Sequence, residues 1–296
     1  MLLYFGANYL VRGAEQIGKY LGLAPVVIGI TLVAFGTSAP ELAITLDAAL
    51  TGNPDIALAN ILGSNIANIG LVIAIVTFIS AIQINRSAVI KDVSVMVISF
   101  IVLGICLLDY HLTRLEGLFL FSGLLIYLYY HLIHKESIEP ESIPDMEDSE
   151  MGYLKCGILT LIGVLMLAFG GDILVTGASR LAIDVGVPQS VIAFSVVAIG
   201  SSLPEVAASV FAALRGKGGI ALGNVVGSNI WNILGVLGLS ALITPIVGED
   251  IKPLMLTGML VYGVLLWLLI RFVSSLKLLH GLFLLSGYFV LQIYIL

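Results

Sequence analysis

Two stretches of this sequence, 164 residues apart, place the same oxygen-bearing side chains in the same order. The first reads Gly36-Thr37-Ser38-Ala39-Pro40-Glu41, then Asn60, then Gly63-Ser64-Asn65-Ile66-Ala67-Asn68; the second reads Gly200-Ser201-Ser202-Leu203-Pro204-Glu205, then Asn224, then Gly227-Ser228-Asn229-Ile230-Trp231-Asn232. Residues 29–70 and 193–234 align without a gap, and half of the positions are identical. Glu41 lies well inside an apolar run from Pro25 to Thr51, and Glu205 inside one from Val187 to Arg215. Neither can reach water by snorkelling. Ionised carboxylates at such depth are costly unless paired, and two that face each other also repel. The chemistry they offer together is the holding of a cation.

The flanking residues fit that chemistry. Pro40 and Pro204 lack an amide proton and crowd the carbonyl one turn earlier, which is expected to free the carbonyls near Ala34 to Gly36 and Ala198 to Gly200. The hydroxyls of Thr37, Ser38, Ser201 and Ser202 stand beside them. A hard cation takes carboxylate, carbonyl and hydroxyl oxygens together, and Ca²⁺ accepts about six to eight of them. Ser64 and Asn68 are four residues apart, as are Ser228 and Asn232, so each pair shares one helix face. The same residues also suit close helix packing with amide hydrogen bonds. Asn60 and Asn224 read equally well as ligands or as struts between helices. Other polar residues read as structural: Asp47 as an interfacial charge, Asp172 as a local cap or pair, and His111, His131, His134 and His280 as solvated or interfacial groups near span ends. Cys106 and Cys156 have no metal-ligand spacing and read as packing residues.

The elements that carry these residues must cross a membrane. With 59% hydrophobic and 11% charged residues, the chain lies far from soluble domains, in which about 25% of residues are charged. Apolar runs of about 20 residues suit helices spanning roughly 30 Å of hydrocarbon and are too long for barrel strands. Ten spans are expected, near 1–19, 24–51, 56–80, 88–108, 113–133, 153–179, 187–214, 220–243, 252–270 and 277–296. The fold class is therefore all-α integral membrane, with ten transmembrane helices in two five-helix repeats: residues 1–134, an acidic linker 135–152, and residues 153–296. Five is odd, so the second repeat enters the membrane inverted. The first span is about ten residues shorter than the sixth, as expected of a truncated helix or of a start internal to the reading frame. The first residues lack a charged leader with a cleavage site and read as part of the mature fold.

Charge supports this topology. The loops after odd-numbered spans collect Arg12, Lys19, Arg86, Lys91, Lys135, Lys155, Arg215, Lys217, Arg271 and Lys277, leaving Arg114, Arg180 and Lys252 for the other face. Basic loops remain cytoplasmic, so both termini are expected outside the cell and the linker inside. Much of the net charge of −6 comes from that linker, with Glu136, Glu139, Glu141, Asp145, Glu147, Asp148 and Glu150, whose spacing is not that of a calcium loop.

At its duplicated motifs the chain resembles the sodium/calcium exchanger branch of the cation/Ca²⁺ antiporter superfamily, especially its compact ten-helix prokaryotic members. The resemblance covers nearly the whole chain. It implies that Glu41 and Glu205 are the principal ligands. Thr37, Ser201, Ser202, Ser64 and Ser228 and the carbonyls of Ala34 and Ala198 would complete calcium and sodium sites, with Asn68 and Asn232 lining the centre. It implies a secondary antiporter of the cell membrane that moves Ca²⁺ against Na⁺ by alternating access, with spans 1 and 6 sliding across the core. H⁺ is the alternative counter-ion. No cofactor, enzymatic activity, nucleic acid or obligatory protein partner is implied; the partners are the ions and the lipid bilayer. Some relatives carry Asp where this chain has Asn232, and its absence leaves two acidic groups at the centre. A passive channel would need a continuous pore. An intramembrane aspartyl protease would need a second motif beside Gly171-Asp172, and the sequence has none.

Overall fold

The structure, a computed structural model, describes residues 1–133, 152–185, 200–249 and 251–295. In hydrocarbon every backbone polar group must be satisfied within its own segment, and the long apolar runs accordingly form helices. In chain order these are α1 (Leu2–Leu21), α2 (Pro25–Thr37), α3 (Ala39–Leu50), α4 (Pro54–Ile79), α5 (Arg86–Cys106), α6 (Arg114–Ile133), α7 (Tyr153–Asp184), α8 (Leu203–Leu214), α9 (Gly218–Ile243), α10 (Pro253–Phe272) and α11 (Leu278–Ile295). Among the described residues seven helices are long and apolar enough to cross a membrane, and α2 with α3 make an eighth span bent by 44°. The more polar α1 packs along α7, and α8 ends the span that the sequence places at 187–214. The protein is an all-α integral membrane protein. The acidic residues of the linker, and His134 with them, lie outside the described residues.

Four two-residue strands show how the halves are related. β1 (Ile82–Gln83) pairs antiparallel with β4 (Ser275–Leu276), and β2 (His111–Leu112) with β3 (Ile246–Val247). The 164-residue offset carries β1 onto β3 and β2 onto β4. It therefore carries the pair Ile82·Leu276 onto Ile246·Leu112, which is the register observed in the second ribbon. One crossing, α5, separates β1 from β2, so the ribbons lie on opposite faces. An operation that exchanges the two faces is a twofold axis in the membrane plane, and the repeats are inverted. The turns after α3 and α8 obey the same offset, each using a glycine at positive φ, Gly52 at 79° and Gly216 at 72°.

The repeat puts α4 and α9 at the centre. Each is 78% buried along its apolar stretch, against 22–39% for α5, α6, α7, α10 and α11, whose outer faces meet lipid. Along the α1–α7 contact the backbones touch: a methyl on Gly163 would stand 2.4 Å from the Leu10 amide nitrogen. Gly6, Gly13 and Gly170 also lie in this contact. Gly171, on the same helix as Gly170, instead approaches the core, near Gly200 and Pro204.

Two buried charge clusters were not foreseen. Asp92 of α5 accepts hydrogen bonds from Tyr127 Oη at 2.8 Å and lies 2.9 Å from Nε2 of His131, both on α6. His131 is thus a part-buried partner of a carboxylate, not a solvated histidine, with a side chain only 11% exposed. Glu15 of α1 pairs with Lys217, in the turn between α8 and α9, at 2.7 Å and with Lys19 at 3.4 Å.

Candidate functional site

The site is built around two identical breaks. Ser38 (φ −83°, ψ 2°) and Ser202 (φ −86°, ψ 4°) leave the helical conformation, and α3 and α8 begin just after them. Pro40 and Pro204 occupy the second helical position, where a missing N–H costs nothing. Each break places a glutamate in the first turn of a fresh helix, beside amides that carry partial positive charge. Glu41 and Glu205 are completely buried and their carboxyl groups interact with each other. The hydroxyls of Thr37 and Ser228 lie beside the Glu205 carboxylate. None of the four carboxylate oxygens has a properly oriented hydrogen-bond partner.

Two kinds of bond that join the halves here recur with their partners exchanged. Thr37 Oγ1 and Ser228 Oγ are 3.2 Å apart, and their equivalents Ser201 Oγ and Ser64 Oγ are 3.1 Å apart. Asn68 Nδ2 donates to Asn229 Oδ1 at 3.4 Å, and Asn232 Nδ2 donates to Asn65 Oδ1 at 3.0 Å. Within each half, Asn60 Nδ2 donates to Thr45 at 3.1 Å and Asn224 Nδ2 donates to Ser209 at 2.9 Å. Asn60 and Asn224 thus both brace neighbouring helices, and Asn224 Oδ1 also accepts from Thr37 Oγ1 at 3.1 Å. Asn68 opens one wide π turn (Asn68–Val72) that packs on α8, and Asn232 lies in its equivalent (Trp231–Leu237), which packs on α3. Such widened turns are rare and concentrate at functional sites.

The polar atoms left over define what the site can do. Ser38 Oγ, Ser202 Oγ, Asn68 Oδ1, Asn232 Oδ1 and both oxygens of Glu41 and Glu205 are buried without a partner, eight oxygens in all. Unpartnered buried acceptors are costly, and their concentration at a twofold axis calls for a ligand that accepts lone pairs. Among the described residues no group of three or more His, Cys, Asp or Glu gathers; the eight unpartnered atoms are all oxygens, the donor type that suits a hard cation.

Among the described residues, a cavity approaches the site from one face. This cavity, of about 1020 Å³, runs from Asp55 and Lys252, near the β2–β3 face, past Asp172 to Asn60, Pro204 and Ser201. Asp172 thus lines an approach to the site. Ser201 is partly exposed there, whereas its equivalent Thr37 is fully buried. The twofold puts the Thr37–Ser228 pair toward the β1–β4 face.

This arrangement has counterparts. The family model described as sodium/calcium exchanger protein matches residues 1–133 and 156–296. The chain belongs to the sodium/calcium exchanger protein family. It is 31% identical over 284 residues to the sodium/calcium exchanger MaX1 of Methanosarcina acetivorans, covering 83% of this chain and 81% of MaX1. It is 33% identical over 259 residues to the membrane protein MJ0091 of Methanocaldococcus jannaschii, covering 88% and 84%. The solved structure of the exchanger NCX_Mj soaked with 2.5 mM Na⁺ and 0.1 mM Ca²⁺ superposes with a TM-score of 0.82 at 30% identity, covering 98% of this chain and 93% of that one.

In this exchanger most of the expected ligands occupy one buried region. Glu41, Glu205, Thr37, Ser202, Ser64, Ser228, Asn68 and Asn232 are at most 1% exposed, and Ser201 closes the cavity. Ala34 differs from expectation. Its carbonyl accepts the Ser38 amide at 2.9 Å and has Thr37 Oγ1 at 3.3 Å, so here it stays within the helical ladder. Ala198 lies outside the described residues. The reading from sequence omitted Ser38 from the ligand set although it kept the equivalent Ser202; the repeat itself held the missing signal.

Proposed function

We propose that this exchanger moves Ca²⁺ against Na⁺ by alternating access, with Glu41 and Glu205 as shared ligands. Ser38, Ser202, Asn68 and Asn232 complete the central position, and the Thr37–Ser228 and Ser64–Ser201 pairs hold sodium on either side of it. The observation that carries this reading is the facing pair of buried carboxylates ringed by unpartnered oxygens. Empty, the pair holds charge that cannot be carried through a closed, dehydrated state; one Ca²⁺ or several Na⁺ supply what is missing. Only the loaded protein then changes access, which makes the flux an exchange. The basic loops assign the β1–β4 face to the cytoplasm, so the cavity opens outward and the termini lie outside.

Proteoliposomes loaded with Na⁺ should take up Ca²⁺ when external Na⁺ is absent, and should not when Na⁺ is equal on both sides. Uptake driven by a pH gradient alone would give the role of counter-ion to H⁺, and uptake that follows Ca²⁺ concentration without any counter-ion would indicate a channel.

The Glu15–Lys217 pair ties α1 to the core on the sealed face. The offset replaces these residues by Ser179 and Asn53 on the cavity face, where there is no such ion pair. Opening the sealed side must separate the pair. Lys217→Gln should therefore populate the opposite state and weaken Ca²⁺ binding measured from the cavity face, by up to about fivefold for a shift of ~1 kcal/mol. A Glu15→Gln/Lys217→Gln double variant should do no more than the single ones.

A further inference from the structure

Behind the two central asparagines lies a second layer that touches no ion in the reading above. Asn229 Nδ2 is 3.6 Å from Sδ of Met96 on α5, and Asn65 Nδ2 is 3.5 Å from Sδ of Met259 on α10. Asn229 Oδ1 accepts from Asn68, and Asn65 Oδ1 accepts from Asn232. Two lines result, each running from thioether to amide to amide. Each ends at an unpartnered oxygen, Asn68 Oδ1 or Asn232 Oδ1. All six residues are at most 1% exposed, so no water competes for these bonds.

A carboxamide has an accepting and a donating end of nearly the same shape, and packing alone does not choose between them. A thioether sulfur can only accept. Met96 therefore draws the NH₂ of Asn229, which turns the Asn229 oxygen toward Asn68, engages the Asn68 NH₂ and leaves the Asn68 oxygen facing the site. Met259 does the same for Asn232 through Asn65. We propose that Met96 and Met259 are positioning residues, acceptor-only ends that fix the polarity of each line and keep oxygen, not NH₂, turned toward the cation. This rests on the exchanger reading, in which those oxygens line the ion site. Leucine fills nearly the same volume without the acceptor, so it removes the polarity signal and little else.

The test uses the full-length protein, with Ca²⁺ binding read by titration and by the rise in melting temperature, and exchange read in proteoliposomes. Met96→Leu and Met259→Leu should each raise the half-saturating Ca²⁺ about tenfold. Exchange at saturating Ca²⁺ should stay within about twofold, and the melting temperature without Ca²⁺ should not change. With Asn68→Ala already present, Met96→Leu should add nothing, and with Asn232→Ala present, Met259→Leu should add nothing. Unchanged affinity in the single variants would overturn the proposal. So would a lowered ion-free melting temperature together with an undiminished effect in the alanine backgrounds, which is the signature of packing. The two lines share no residue, so if Met96→Leu fails to fold, Met259→Leu decides. A parent protein that shows no Ca²⁺ response, while remaining folded, would overturn the exchanger reading itself; a responsive parent with indifferent leucine variants overturns the relay alone.

Discussion

Glu41→Gln and Glu205→Gln should each abolish Ca²⁺ exchange while leaving a protein that is at least as stable when no ion is present. Glutamine keeps the volume of glutamate but replaces a charged acceptor with a neutral group, one end of which donates. The surroundings are ill-suited to that donor end in a Ca²⁺ complex, because every other free polar atom there is an oxygen that would also face the metal. Removing one partner from a desolvated charge pair costs about 2–5 kcal/mol, which corresponds to a loss of Ca²⁺ affinity between about 30-fold and several thousand-fold. The ion-free state moves the other way. It buries two carboxylates that interact with each other and have no oriented hydrogen-bond donor, and replacing either removes part of that burden. The melting temperature without ions should hold or rise, and the increment on adding Ca²⁺ should vanish. A variant with a lowered ion-free melting temperature and a preserved Ca²⁺ increment would mean that these glutamates are structural.

The span pattern was legible because hydrocarbon leaves the chain few choices: a run long enough to cross must be helical, whatever its local propensities. The twofold was legible because duplicated residues cannot drift independently when each packs on the other's counterpart, as Thr37 does on Ser228 and Ser201 on Ser64. Partners supplied from far along the chain were not legible. Asp92 and Glu15 carried no reading from sequence, because Tyr127 and His131 close on the one, and Lys217, 202 residues later, takes the other. The Ala34 carbonyl shows a different limit. A proline weakens the ladder one turn back, but whether a given oxygen is released depends on the local backbone, and at Ser38 the amide still reaches it. The orientation of Asn68 and Asn232 was equally hidden, since it is set by sulfur atoms on helices that carry no part of the motif.

The crossing of α2 and α9 makes the second strong prediction. Here the backbones are in contact: a methyl on Gly29 would lie 2.4 Å from the Ile220 carbonyl oxygen, one on Gly223 2.3 Å from that of Val26, and one on Gly227 2.5 Å from the Cα and carbonyl of Ile30. Ordinary contact begins about 1 Å farther out, and the atoms met are backbone, which cannot rotate away. Gly223→Ala or Gly227→Ala must therefore part the helices by about that much, and overpacking of this kind costs about 1–3 kcal/mol. The effect on function should exceed the effect on stability. Asn224 and Ser228, which hold Thr37, stand next to these glycines on α9, so the displacement passes directly into the ion site. A misplacement of about 1 Å in a preorganised site can cost on the order of a hundredfold. Gly227→Ala should accordingly remove most Ca²⁺-driven stabilisation and exchange while the protein still inserts and folds. Gly104→Ala, on α5 with nothing within 4 Å of the added carbon, should leave both unchanged. If Gly227→Ala behaved like Gly104→Ala, the close crossing would not be what sets the distance between the two halves of the site.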